Sequence, residues 1–160
     1  MYKNIILHWT AGDYLPCPTD LQHYHYVIDG FGNVYKGKFS PEDNLNCNDG
    51  KYAAHCGGSN TGRIGLSICC RKNQATTPTH RQVEAMCDLA AHLCIAYNIN
   101  PAACITHAEF GEKNPKTSSA GKIDINSIPY AGIRGVKPCG DYLRNKIKWY
   151  YNRLIKGGVV

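Results

Sequence analysis

The chain has 160 residues, 43% hydrophobic and 19% charged, with a net charge of +6 at neutral pH. That length suits one domain with a proper core and is too short for two, and the composition argues against global disorder. No apolar run approaches the ~20 residues that a bilayer requires, so no membrane insertion is expected.

Residues 4–8, Asn4-Ile5-Ile6-Leu7-His8, read as a buried strand that ends in a histidine. Met1 to Leu7 runs straight into this strand, without a long apolar stretch or small-residue cleavage site, so no secretory signal is expected. Residues 24–29 and 33–38 read as a hairpin around the glycine-rich turn Asp29-Gly30-Phe31-Gly32-Asn33. Residues 39–62 are rich in Asn and Gly and read as a long loop, a kind of segment that is usually functional in a compact domain. Ile64 to Cys69 reads as another buried strand. Thr79 with Gln82 forms a capping-box signature. Behind it Val83, Met86, Cys87, Ala90, Cys94 and Tyr97 recur at helical spacing until Asn98-Ile99-Asn100-Pro101 stops the helix. Residues 103–107 read as a strand bearing His107, residues 108–140 as a second long loop, and Asp141 to Lys156 as an amphipathic helix closed by Gly157-Gly158. The expected fold is α/β: one domain over residues 1–160, with a central mixed sheet flanked by helices and loops gathered at one edge.

The basic surface favours an anionic polymer as partner. Without a zinc finger, helix-turn-helix or RNA-binding signature, nucleic acid is not expected. The nine cysteines include no Cys-x-x-Cys pair, which argues against a zinc ribbon or a thioredoxin-like site. Cys87 and Cys94 read as small hydrophobes on a helix. Cys17, Cys47, Cys56 and Cys139 fall in loop-like sequence and are the candidates for one or two disulfides.

Two histidines that each follow a short buried strand, His8 and His107, can clamp one zinc ion if their strands are neighbours. Asp124 in Gly121-Lys122-Ile123-Asp124 offers a carboxylate as third ligand. Two histidines, a carboxylate and an open position describe a hydrolytic centre rather than a structural one. Lys122, two residues before that carboxylate, and Tyr24 are candidates to stabilise an oxyanion. Glu109 or Glu112 can replace Asp124 if the loop folds differently.

Several motifs then carry a resemblance in the correct order. They are Ile5-Ile6-Leu7-His8-Trp9-Thr10-Ala11-Gly12; Tyr24-His25-Tyr26-Val27-Ile28 with Gly32-Asn33-Val34; Ala53-Ala54-His55-Cys56 with Asn60 and Ile64-Gly65; Thr79-His80-Arg81-Gln82; and Ile105-Thr106-His107-Ala108-Glu109. Over roughly residues 4–124 the chain resembles the type 2 N-acetylmuramoyl-L-alanine amidases, which include phage lysozyme-like amidases, the AmpD kind and animal peptidoglycan recognition proteins. The resemblance implies a zinc-dependent hydrolase that cuts peptidoglycan between N-acetylmuramic acid and L-alanine. Zinc would be held by His8, His107 and Asp124, with Tyr24 and Lys122 as catalytic residues and His55 and Asn60 touching substrate. Only fifteen residues separate His8 from Tyr24, so the helix that the family usually places there must be short or absent. The glutamate that AmpD-like enzymes carry is missing from Leu66-Ser67-Ile68, which makes Tyr24 the likelier helper. A protein of this kind acts on the cell wall, in the periplasm or outside the cell, delivered by lysis, a holin or a specialised secretion system. It would be a phage endolysin or an antibacterial toxin effector, the latter with an immunity protein as partner, and the cysteine richness tilts toward the effector. The rival expectations are a non-catalytic peptidoglycan-binding module and a zinc peptidase cutting within the stem peptide.

Overall fold

The computed structural model describes residues 1–158, with the side chain of Gln74 left out. Five strands form one mixed sheet: β1 (Asn4–Trp9), β2 (Tyr26–Ile28), β3 (Val34–Lys36), β4 (Arg63–Ile68) and β5 (Cys104–Thr106), in the order β3-β2-β4-β1-β5. β1 runs parallel to both β4 and β5, β2 runs parallel to β4, and only the edge strand β3 is antiparallel. Both faces of β1 and β4 are covered, which explains why they read as continuous apolar runs rather than alternating ones.

Side-chain alternation sorts those runs into two layers. Ile5, Leu7 and Trp9 of β1 and Ile64, Leu66 and Ile68 of β4 pack into the main core with α2 (His80–Ala96) and α4 (Val136–Lys156). Ile6 of β1 joins Cys56 and Phe110 in a smaller cluster on the other face, with Ile105 against it. His8 shares the parity of Ile6, and its register partner on β4 is Ser67. The polar positions thus fall on the thin layer, while the apolar majority falls on the helices.

Three elements differ from the sequence expectation in ways that shape the site, while the expected shortening of the helix before Tyr24 is met. α1 (Pro18–His23) is present but short, about a turn and a half opened by Pro18. His107 does not lie on a strand: β5 ends at Thr106, and His107 is the first residue of a helix, α3 (His107–Lys113). Its start is a capping box, with Thr106 Oγ1 accepting from Glu109 N at 3.1 Å and the Glu109 carboxylate accepting from Thr106 N at 2.9 Å. The rest of the supposed loop carries a two-stranded ribbon, β6 (Ser127–Ile128) with β7 (Ile133–Arg134). α4 begins at Val136, five residues before the expected Asp141, because Pro138 sits in the first turn, where its missing N–H has no intrahelical partner to lose.

The cysteines also correct the expectation. All nine are free, and seven are buried. Cys56 lies in the loop before β4 but is buried in the small cluster, and Cys139 sits inside α4 against the main core rather than in a loop. Cys17 and Cys47 stand unpaired. The cysteines serve here as small apolar side chains.

Candidate active site

At the C-terminal edge of the parallel strands lies a cleft of about 590 Å³, lined by residues including Trp9, Tyr24, His55, His107, Lys122 and Asp124. His8, His107 and Asp124 meet in its floor, all buried, with one ligand atom from each within 4.8 Å of the others. Nδ1 of His8 lies 3.0 Å from Asp124 Oδ2, and Nδ1 of His107 lies 3.3 Å from the same oxygen. β1 and β5 are adjacent, so the chain delivers both imidazoles to one place. Asp124 is drawn in as its own carbonyl accepts from Ala108 N at 2.7 Å, just inside α3.

The electrostatics suit a cation. Burial lowers His8 to about 4, against an opposing pull from Asp124, so its ring is neutral at pH 7. Burial opposes charge on Asp124, but the facing imidazoles of His107 and His8 outweigh it and hold this carboxylate down to about 2. The outer nitrogen of His107 fixes its own proton. Ser119 Oγ donates to the Gly57 carbonyl at 2.9 Å, so at 3.0 Å it accepts from His107 Nε2. With Nε2 donating to Ser119, a neutral His107 would turn the lone pair of Nδ1 toward Asp124, the arrangement that a cation between them needs. The donor set and its supports therefore fit a zinc ion.

Tyr24 caps the end of α1 and lines the cleft, its ring 5.1 Å from that of His8. Burial, with the charge of Asp124 adding to it, raises its pKa, so the phenol keeps its proton. Lys122 is exposed on the cleft wall. The two alternatives to Asp124 stand elsewhere. Glu109 grips Arg144 through two bonds of 2.7 and 2.8 Å, with Gly140 leaving room for the carboxylate, and Glu112 is exposed on α3.

His55 and Asn60 are not equivalent. Asn60 lies outside the lining of the cleft, where its Oδ1 accepts from His55 N at 3.0 Å and Cys56 N at 2.8 Å and so shapes the loop. The His55 ring borders the cleft but is buried, with Nδ1 3.1 Å from His8 Nε2 and Nε2 3.2 Å from the Arg63 carbonyl. Two contributors escaped the sequence reading. Ser119 carries no local signal in the chain, whereas Thr106-x-x-Glu109, which starts the helix under His107, is a legible capping box.

This fold and site define a class, hydrolases of the amidase type, and the comparisons with known proteins agree. The chain belongs to the N-acetylmuramoyl-L-alanine amidase family, whose profile matches residues 2–122. It is accordingly an amidase that acts on peptidoglycan. Among solved structures, the PlyG catalytic domain is similar with a TM-score of 0.60 at 19% identity, over 94% of this chain and 82% of that one. The amidase LysC from Clostridium intestinale URNW gives 0.50 at 19% identity, over 72% and 84%. AmiD from E. coli, solved with anhydro-N-acetylmuramic acid-L-Ala-D-gamma-Glu-L-Lys, gives 0.52 at 20% identity, over 70% and 51%. At these identities the likeness is one of fold. No curated protein sequence matches the chain.

Proposed function

We propose that the protein is a zinc-dependent N-acetylmuramoyl-L-alanine amidase that works as a single domain on the cell wall, with His8, His107 and Asp124 as metal ligands and Tyr24 and Lys122 as catalytic residues. The convergence of two imidazole nitrogens on one carboxylate oxygen in the cleft floor carries this reading. Bound there, zinc supplies Lewis acidity to an amide carbonyl and lowers the pKa of water.

The chain's own residues do the rest. The Tyr24 phenol, kept protonated by burial, donates a hydrogen bond where negative charge develops on the carbonyl oxygen. The Lys122 ammonium, on the 118–123 segment of the cleft wall, adds positive charge. Residues 54–57 and 118–123, which pack against each other through Ser119 Oγ and the Gly57 carbonyl, together border a groove open enough for a glycan with its stem peptide. The position on β4 closest to His8 in register is Ser67, which has no carboxylate, so proton movement falls to Tyr24 and water.

A cell-wall-degrading lysin is the favoured role. One similar fold belongs to the Ph2119 endolysin of a Thermus scotoductus bacteriophage, and the free cysteines remove the reason for preferring an injected, disulfide-bonded effector and its immunity partner. Purified sacculi incubated with the protein and with His107→Ala test the reading. Stem peptides released with a free L-alanine N-terminus, by the wild type only, support it. Cut cross-bridges with intact muramoyl links would establish the peptidase instead, and binding without release would establish a recognition module.

A further inference from the structure

The imidazole of His55 lies behind His8, away from the carboxylate, and takes no part in the three-residue cluster. Its position is built in. Its backbone N–H is held by Asn60, and a Cβ on Gly65 would come within 2.6 Å of the His55 Cγ, so a glycine on β4 makes room for the ring. The ring edges His8 at a centroid distance of 5.2 Å, and His25 at 5.5 Å covers its other side.

The proton count along this line is determined by its far end. The Arg63 carbonyl can only accept, so Nε2 of His55 carries the hydrogen at 3.2 Å. A neutral His55 then has a bare Nδ1, which accepts from the Nε2–H of His8 at 3.1 Å. His8 in turn has its lone pair on Nδ1, the atom that faces Asp124. One backbone carbonyl thus sets the tautomers of two rings in series.

We propose that His55 is a positioning residue for the metal site: it receives the outer N–H of His8 and so holds the inner nitrogen unprotonated, aimed at the cation. The proposal rests on the metal reading above. It assigns His55 a place beneath the ligand rather than against substrate. Outer partners of this kind usually change metal affinity by roughly 10–100-fold when removed.

Two substitutions separate the acceptor from the bulk. Asn at 55 places its Oδ1 near the position of the imidazole Nδ1 and keeps an acceptor for His8, while losing the bond to Arg63. Gln reaches toward Arg63 but offers His8 no acceptor. Zinc affinity of the full chain, measured by competition with a chromogenic chelator, is expected to fall roughly 10–100-fold in His55→Gln and to stay within about threefold in His55→Asn. In the zinc-loaded wild type, nitrogen NMR is expected to show His55 protonated at Nε2, with a coupling across the hydrogen bond from the Nε2–H of His8 to His55 Nδ1. In His55→Gln that coupling is expected to vanish. Equal affinities in the two variants, or a wild-type His55 protonated at Nδ1, overturn the proposal. The NMR result needs no variant to fold, whereas a wild type that takes up no zinc overturns the metal reading itself.

Discussion

Acidification should unfold this protein partly through His25, and the size of the effect follows from its surroundings. Nδ1 of His25 accepts from Gly65 N at 2.9 Å, and Nε2 donates to Asn44 Oδ1 at 3.0 Å. Asn44 cannot turn over to help, because the same Oδ1 accepts from Ala53 N at 2.9 Å while its amide donates to the Ala53 carbonyl at 3.0 Å. A second proton on the ring would therefore confront a backbone N–H that has no alternative partner. Burial dominates the shift, outweighing the Asn44 bond and the carboxylates of Asp43 and Glu42, and lowers His25 from 6.5 to about 4. The unfolded chain takes up this proton below about pH 6.5 and the native state only below about 4, so stability is full above that window and is lost as pH falls through it. At 1.36 kcal/mol per unit, the loss from this ring is about 3 kcal/mol. His25→Asn keeps an acceptor for Gly65 but cannot titrate. Urea unfolding at intervals from pH 7 to 4.5 should show a fall in the wild type that exceeds the variant's by most of that amount. His8 and His55 are also lowered and contribute to both proteins equally, so parallel curves would refute the reasoning.

Other outcomes follow from the site. Tyr24→Phe should lower kcat by roughly 10²–10³ with KM little changed, because the phenol acts where charge develops rather than in binding; steady-state kinetics on soluble muropeptides reads both. Ser119→Ala removes the acceptor behind His107 and should weaken zinc binding roughly 10–100-fold, measured by chelator competition, and should cost the metal-free protein about 1–3 kcal/mol because the Gly57 carbonyl loses its donor. Glu109→Ala leaves Arg144 with Asp141 at 2.9 Å and the Cys104 carbonyl but removes its buried partner and the acceptor for Thr106 N, and should cost about 1–3 kcal/mol of stability. The folded fraction of that variant should still bind one zinc per chain by metal analysis, since Glu109 faces Arg144 rather than the imidazoles.

The sequence by itself determined whatever depends on neighbours along the chain. The apolar runs at residues 4–9 and 63–68, the turn held by Asp29 side-chain bonds to Phe31 N and Asn33 N, and the Thr79–Gln82 cap each form from contacts within a few residues. The same kind of local signal was available at Thr106 and Glu109, but the apolar strand preceding it drew the reading of His107 toward a strand rather than a helix start. Only the tertiary structure decided the rest. Asp124 reaches His8 across 116 residues of chain, and His55 reaches it across 47, so neither spacing carries a periodicity to read. Between carboxylates that look alike in the sequence, Arg144 made the choice: it occupies Glu109, Glu112 remains in solvent, and Asp124 is left to face the two imidazoles. The cysteines were settled in the same way, because whether a thiol packs or pairs depends on what the fold lays beside it.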